Sequence, residues 1–316
     1  MTEPYVRPDV RAFLDALKAN PRPSMTAENL PMMRPMAPAG MAMLEPPVGA
    51  LAVTRDVVMP GPGGDIALRL FDARAEREPG PVVVFCHGGG FIIGCIDSHV
   101  SMCAELSRQL DLPVISVEYR LAPEHPWPAA PDDAEAAARW IAANGAAFGL
   151  SITGLVLCGD SAGATLSIVT AVALRDRPAA APVILQFPIY PAVDRGGDYP
   201  SGTLFSESYG LDAKDMAFYD EAYAPDRGHW RGAPLLADLA GLPPLLLLTA
   251  GLDPLRDQGR AYAAKAIAAG VPTTYREAVG TIHGFAGFRG VIPSGQADFT
   301  AALKLARAMI QEGAGA

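Results

Sequence analysis

Short apolar runs recur along the chain and alternate with longer stretches in which apolar residues fall at helical spacing. Most of these runs are continuously apolar, which is typical of parallel strands covered on both faces. The predicted core strands are residues 82–86, 114–118, 155–158, 183–187 and 245–249, with a last strand near 273–277. The predicted connecting helices are residues 99–110, 130–143, 164–175 and 257–269, with a C-terminal helix at about 298–311. The pattern predicts an α/β fold.

The first 70 residues follow a different pattern. Residues 10–18 predict a helix, and residues 21–47 then contain seven prolines and six methionines. We expect these prolines to forbid a long helix, so this arm is either a packed extension or a lid over an apolar pocket. A β pattern starts at Val53, and residues 66–71 suit a hairpin strand at an antiparallel edge, after a glycine-rich turn at 61–65.

A second departure from the alternation is the segment of residues 191–237. It is rich in Gly, Tyr and Asp, with one predicted helix near 213–222. Its aromatic residues suit either ordinary packing or the covering of an apolar group. We therefore predict a core of residues 51–190 and 238–316, with a cap built from residues 1–50 and 191–237.

Composition and charge narrow the class of partner. Of the 316 residues, 50% are hydrophobic and 19% charged, and no apolar run approaches the roughly 20 residues needed to cross a bilayer. The net charge of -9 disfavours nucleic acid and anionic membrane surfaces as partners. We expect a neutral small-molecule substrate and no stable membrane association. Residues 1–9 are too polar to begin a signal peptide, which favours a cytoplasmic location.

The four cysteines indicate neither a metal site nor a disulfide framework. Cys86, Cys95, Cys103 and Cys158 show no metal-ligand spacing. Cys86 and Cys158 end predicted strands and are interpreted as small buried hydrophobic residues, with a reactive role as the alternative.

Two glycine-rich sequences follow predicted strands: His-Gly-Gly-Gly at residues 87–90 and Gly-Asp-Ser-Ala-Gly at residues 159–163. A serine hydroxyl that attacks an ester carbonyl creates an oxyanion, and amides on a glycine loop can stabilise that charge. The second sequence lies between a short strand and a strongly helical stretch, as in a nucleophile elbow. Ser161 is therefore the candidate nucleophile, and a serine in an ordinary glycine-rich turn is the alternative.

A serine nucleophile needs a base and a group that orients the base. His283 follows the last predicted strand, where the chain order of such sites places the histidine. Asp253 lies at the carboxyl end of the preceding strand and would hold the tautomer of His283. Asp257 competes for this role, but it falls where the next helix begins, which favours capping or loop bracing.

The remaining histidines have other expected places. We expect His87 to order the glycine loop through hydrogen bonds. His125 lies in a proline-rich loop, and His99 and His229 are expected to be peripheral.

These motifs, with Asp-Pro-Leu-Arg-Asp at 253–257 and His-Gly-Phe at 283–285, resemble those of the bacterial hormone-sensitive-lipase-like esterases (family IV) of the α/β-hydrolase superfamily. Residues 119–130, Tyr-Arg-Leu-Ala-Pro-Glu-His-Pro-Trp-Pro-Ala-Ala, resemble the loop that follows a core strand in that family. The match in order and spacing covers most of residues 53–310, while the N-terminal arm matches only loosely.

The resemblance implies a carboxylesterase for short to medium acyl chains, with an eight-stranded mostly parallel sheet, a two-part cap and no cofactor or metal. It implies Ser161 as nucleophile, His283 as base and Asp253 as its orienting group. The implied oxyanion donors are Ala162 and two of Gly88, Gly89 and Gly90, with Gly89 and Gly90 favoured. Asp160, Arg120 and Glu124 would be structural supports, although a more direct role is not separated from this one. The resemblance also implies a homodimer through the edge of the last strand.

Candidate substrate-binding residues are apolar or aromatic positions near the expected mouth of the site. For any single one of them, core packing is an equal alternative. They are Phe91, Ile92, Tyr190, Phe205, Tyr209, Leu211 and Ile282.

Rival functions use the same scaffold. The same groups could cleave amides, lactones or acetylated sugars, and the sequence does not separate these from esters. A non-catalytic binding protein similar to the plant gibberellin receptors is disfavoured because His283 is present. An interfacial lipase would carry a large exposed apolar lid, which nothing in the sequence marks.

Overall fold

The computed structural model of the protein describes residues 3–21 and 23–314. Its centre is one eight-stranded sheet in the order β1-β2-β4-β3-β5-β6-β7-β8. The strands are β1 Val53–Gly61, β2 Gly64–Asp72, β3 Gly80–Cys86, β4 Val114–Val117, β5 Ile152–Asp160, β6 Val183–Ile189, β7 Leu245–Leu252 and β8 Thr273–Ile282. The pairs β1–β2 and β2–β4 are antiparallel, and all other neighbouring strands are parallel. The predicted mostly parallel eight-stranded sheet is confirmed.

Helices cover both faces of this sheet, as its continuously apolar strands require. They are α1 Pro8–Ala19, α2 Leu30–Ala42, α3 Val100–Leu110, α4 Ala129–Ala143, α5 Ala162–Asp176, α6 Pro200–Leu204, α7 Ala213–Tyr223, α8 Arg256–Ala268 and α9 Pro293–Ala314. The apolar side chains of α4, α5 and α8 pack in one core cluster, and those of α3 and α9 pack in a second. Cys86 and Cys158 are buried in these clusters, as expected.

Five of the six predicted core strands are longer than the apolar pattern predicts, and β4 is one residue shorter. The largest differences are in β5, which begins at Ile152 rather than at 155, and in β8, which ends at Ile282 rather than at 277. The extension of β8 follows a register shift after Ala250, beyond which Leu252 pairs with Ile282. This pairing places His283, the residue that follows β8, beside the end of β7.

The expectation that prolines forbid a long helix in the arm is wrong, because α2 runs for 13 residues through Pro35 and Pro38. Pro31 lies in the first turn, where its missing amide would have no helical acceptor. Pro35 and Pro38 each remove one internal hydrogen bond, and the helix is instead held by contacts that Arg34 makes with the core. The short helix α6, which begins with Pro200, was not predicted either.

The arm and the 191–237 segment meet in one apolar cluster that also includes core residues. Its buried members are Val10, Phe13, Leu14, Phe205, Leu252, Ile282 and Ile292. The arm is further bonded to the start of α9, where Ser294 donates its amide to Asp9 at 2.8 Å. The two-part cap stays a prediction, and residues 1–2, 22 and 315–316 of the predicted domains lie outside the described residues.

None of the helices in residues 3–21 and 23–314 has the length and apolarity to span a membrane.

Candidate active site

Ser161 lies at the sharp turn between β5 and α5. Its backbone has φ 51° and ψ -115°, a strained conformation for a residue with a side chain, and its amide donates to Ile189 O at 2.9 Å. The turn leaves no room for side chains on either side, because a Cβ at Gly159 would lie 2.6 Å from the Cys86 carbonyl oxygen and one at Gly163 would collide with that oxygen. Both glycines are therefore required for the turn that presents Ser161.

Ser161, His283 and Asp253 form a continuous hydrogen-bonded row. The Nε2 of His283 lies 2.9 Å from the Oγ of Ser161, and its Nδ1 lies 2.7 Å from the Oδ2 of Asp253. Asp253 is fully buried, and its other oxygen accepts the amide of Leu255 at 2.8 Å. A carboxylate at Nδ1 keeps the proton on that nitrogen and leaves Nε2 free to accept one from the serine.

Sheet topology explains why residues so distant in sequence meet. Ser161, Asp253 and His283 directly follow β5, β7 and β8, which run parallel in one half of the sheet. The carboxyl ends of parallel strands share one edge of a sheet, where sites of this type form.

Asp257, the competing carboxylate, is engaged elsewhere. It accepts the amide of Ser201 in α6 at 2.9 Å and pairs with Arg256 at 2.8 Å and Arg260 at 3.0 Å. Ser201 also donates its hydroxyl to Pro254 O at 2.9 Å. Asp257 thus braces the loop that carries Asp253 against α6.

The glycine loop after β3 presents amides toward the same edge. Gly89 and Gly90 have φ 118° and 62°, which side chains rarely allow, and a Cβ on Gly89 would collide with the carbonyl of Ile93. Among the residues that the structure describes, the amides of Gly89 and Gly90 have no protein acceptor. Ala162 is the first residue of α5, so its amide has no acceptor within the helix. These three amides are available for an oxyanion.

Gly88, one of the candidate oxyanion donors, is corrected to a structural role. Its amide donates to the Oδ1 of Asp160 at 2.8 Å, so it is not free for a ligand. A Cβ on Gly88 would also lie 2.9 Å from the carbonyl oxygen of Asp160. Gly88 therefore holds the loop against the elbow and does not donate into the site.

His87 orders the loop as expected. Its Nδ1 lies 2.8 Å from Gly88 O, its ring stacks on Tyr119 at 4.3 Å, and the Tyr119 hydroxyl donates to His87 O at 2.7 Å. Burial, helped by the neighbouring His99, lowers the pKa of His87 to about 3, so the ring is neutral near pH 7.

His99 is not peripheral, which corrects the expectation. It is 6% exposed, and its Nε2 lies 3.3 Å from the Oδ1 of Asp160, behind the glycine loop. Burial opposes the charged forms of both groups, but their mutual attraction outweighs it. The pKa of His99 is therefore raised and that of Asp160 lowered. No sequence signal marked this pair, because the burial of His99 arises from tertiary packing.

Arg120 and Glu124, the other expected supports, both form ion pairs. Arg120 binds the fully buried Asp133 through two hydrogen bonds of 2.8 Å. Glu124 binds Arg34 of α2, again through two bonds of 2.8 Å.

The candidate substrate residues divide by burial. Ile92, Ile282 and Tyr190 are at most 1% exposed, and Phe91 and Phe205 are 3% exposed, so none of these five lines an open pocket, and the structure has them packed in the interior. Leu211 is half-buried in the insertion. Tyr190 lies beside the ring of His283, with centroids 4.7 Å apart.

The other candidates contact side chains of the 191–237 segment or of the arm. Phe91 stacks on Tyr223 of α7 at 3.8 Å. Phe205 and Tyr209 pack edge to face at 5.1 Å within the apolar cluster shared with the arm.

Tyr219 of α7 was missing from the candidate substrate residues. A Cβ on Gly90 would lie 2.6 Å from the Tyr219 ring, so this ring packs directly on the glycine loop. Its position in the aromatic-rich insertion was the available signal. Tyr219 and Tyr223, one helical turn apart, thus join α7 to the loop.

A metal ion has no evident place in the described part of the chain, where no group of three His, Cys, Asp or Glu side chains is arranged to hold one.

Comparison with known proteins gives one consistent result. The profile of a family described as having the alpha/beta hydrolase fold matches residues 83–287. Esterase LipI of Mycobacterium tuberculosis is 38% identical over 76% of this chain and 77% of its own length. The ethyl acetate hydrolase of Pseudomonas putida is 37% identical over 65% of this chain and 66% of its own. An ester hydrolase from the metagenome of Lake Arreo superimposes with a TM-score of 0.90 at 37% identity, covering 96% of this chain and 98% of that one.

Proposed function

Because the chain belongs to the hormone-sensitive-lipase-like esterases (family IV) of the α/β-hydrolase family and is a carboxylic ester hydrolase, we propose that it cleaves short- to medium-chain esters through an acyl-enzyme on Ser161. The observation that carries this proposal is the row from the Ser161 hydroxyl through His283 to the buried Asp253. Nucleophile, base and orienting group are each within hydrogen-bond reach of the next.

In the first half of the reaction, the Ser161 Oγ attacks the ester carbonyl carbon and its proton passes to His283 Nε2. The carbonyl oxygen becomes an oxyanion, which the amides of Gly89, Gly90 and Ala162 stabilise. Asp253 stabilises the imidazolium that forms. The bond to the alcohol oxygen then breaks, and the imidazolium protonates the departing alcohol.

In the second half, water takes the place of the alcohol. His283 accepts a proton from the water as its oxygen attacks the acyl carbon, and the same amides hold the second oxyanion. The bond to Ser161 breaks, the carboxylic acid leaves, and the proton on His283 returns to the serine. The ester, one water and these groups account for every atom, so the proposed reaction needs no cofactor.

The preference for short and medium chains is supported by the aromatic side chains above the loop. Tyr219 lies on Gly90 and Phe91 lies against Tyr223, so α7 limits the space beside the proposed oxyanion site. A relative named ethyl acetate hydrolase acts on a small ester by its name, which agrees with this size.

The test is hydrolysis of p-nitrophenyl esters from acetate to laurate by the wild type and by Ser161→Ala. We expect the wild type to show its highest kcat/KM with a short or medium acyl chain. The Ser161→Ala variant should lose nearly all turnover. Matching circular dichroism spectra would exclude misfolding of the variant. Undiminished hydrolysis by Ser161→Ala would contradict the nucleophile, and a maximum at laurate would contradict the chain length.

A further inference from the structure

We propose that Arg34, in the N-terminal arm, is a positioning residue that fixes the oxyanion loop. The guanidinium of Arg34 donates through Nε to Ile92 O at 2.7 Å and through Nη2 to Ala122 O at 2.5 Å. It also binds Glu124 at 2.8 Å. One side chain of α2 thereby joins two loops of the core, the one after β3 and the one after β4. The inference rests on the proposed function, since it concerns the amides proposed to hold the oxyanion.

The peptide of Ile92 closes the turn that presents these amides. Ile92 and Ile93 both donate their amides to Gly89 O, at 3.1 and 3.0 Å. Arg34 holds the carbonyl at the far end of this turn. Ala122 donates its amide to Phe91 O at 2.9 Å, so the second carbonyl bound by Arg34 belongs to a residue that is itself bonded to the turn.

The contacts with the two carbonyls matter more than the ion pair. Ile92 and Ala122 are buried, and a buried carbonyl that loses its donor keeps the cost of having left water without a partner to offset it. The Glu124 side chain is 55% exposed, and ion pairs at exposed sites contribute little. Arg34 therefore acts mainly through the backbone of the loop, with Glu124 as an outer partner.

Arginine is specifically suited to this position. Its planar guanidinium carries five N–H donors at fixed angles, so it can serve two carbonyls and a carboxylate together. A lysine ammonium is a point charge with a different donor geometry and cannot reproduce all three contacts at once.

The test compares Arg34→Gln and Arg34→Lys with Glu124→Gln, the matched control that removes the ion pair and leaves both carbonyl contacts. kcat and KM are measured with p-nitrophenyl butyrate. The inhibition constant of a trifluoromethyl ketone is measured in parallel, because its adduct with a serine places a charged oxygen at the oxyanion amides. Thermal unfolding is recorded for each variant.

For Arg34→Gln we expect kcat to fall and the ketone to bind more weakly by the same factor, roughly tenfold or more, since small displacements of catalytic groups are costly. KM should change little, Arg34→Lys should be intermediate, and Glu124→Gln should stay within about twofold of the wild type. If the Arg34 variants lower only the melting temperature, or if Glu124→Gln loses as much activity as Arg34→Gln, the proposal is overturned. Ser161→Ala tests the proposed function separately, because it keeps every contact of Arg34.

Discussion

The loops at the strand ends and the N-terminal arm are held in different ways. Ser161, Asp253 and His283 each lie one residue beyond a strand that is bonded into the sheet, and the last residues of all three strands are buried. In the arm, α2 buries one residue fully, Leu30, among its 13 described positions, and it meets the active-site loops through Arg34. Changes at the strand ends should therefore abolish the chemistry or the fold, and changes in the arm and cap should adjust rate or selectivity.

The largest expected effect is on the group that orients the base. Asp253→Asn should lower kcat by roughly 10⁴-fold, because the amide favours the wrong tautomer of His283. Asp257→Asn is the control, since Asp257 bonds Ser201 and two arginines and should cost far less. Steady-state kinetics with a short-chain ester decide this. Equal losses in the two variants would contradict the separate roles assigned to Asp253 and Asp257.

Two glycine substitutions compare how strongly the elbow and the N-terminal arm affect the stability of the fold. Gly163→Ala places a Cβ against the carbonyl oxygen of Cys86 and should cost more than ~3 kcal/mol or prevent folding. Gly40→Ala in α2 meets nothing within 4 Å and should stabilise the protein by up to about 1 kcal/mol. Soluble yield and thermal unfolding are the measurements. A Gly163→Ala protein as stable as the wild type would contradict the packing described for the elbow.

Selectivity should respond to the cap. Tyr219→Ala removes the ring above Gly90 and should raise the ratio of kcat/KM for octanoate to butyrate by roughly tenfold, because the site gains apolar space. Leu204→Ala, an exposed apolar truncation in the same insertion, serves as the control. Identical chain-length profiles for the two variants would show that Tyr219 does not limit the substrate.

The smallest effect concerns pH and the buried His99–Asp160 pair. The pKa of His99 is raised in the folded protein, so its contribution to stability is complete below the unfolded value of 6.5 and is lost as pH rises through the folded pKa. The pKa of Asp160 is lowered, so its contribution is lost as pH falls from 3.8 through the folded pKa. As the pH rises above 6.5, the melting temperature of the His99→Gln variant should therefore fall less than that of the wild type. Parallel curves for the variant and the wild type would contradict a charged His99.

The same contrast explains what the sequence could predict. Continuous apolar runs bounded by glycine-rich turns located the core strands, and residues that directly follow such strands gather at one edge. The sequence therefore predicts that Ser161, Asp253 and His283 lie near one another, and in the structure they lie within hydrogen-bond distance in one row.

Features that depend on non-local contacts were missed. The amide of Gly88 bonds Asp160, which lies 72 positions away, and the buried His99 pairs with the same carboxylate. Ile92 and Ile282 could not be assigned to pocket or core, because periodicity does not distinguish the two. α2 contains two internal prolines, and its Arg34 bonds core loops whose positions the local sequence does not predict.

Trapping the acyl-enzyme tests whether Ser161 is the nucleophile. Acid quenching within the first turnovers of a p-nitrophenyl ester, followed by peptide mass spectrometry, locates any acyl group on the chain. We predict an acyl group on Ser161 and none on the Ser161→Ala protein. An acyl group on another residue, or rapid turnover by the variant, would contradict it.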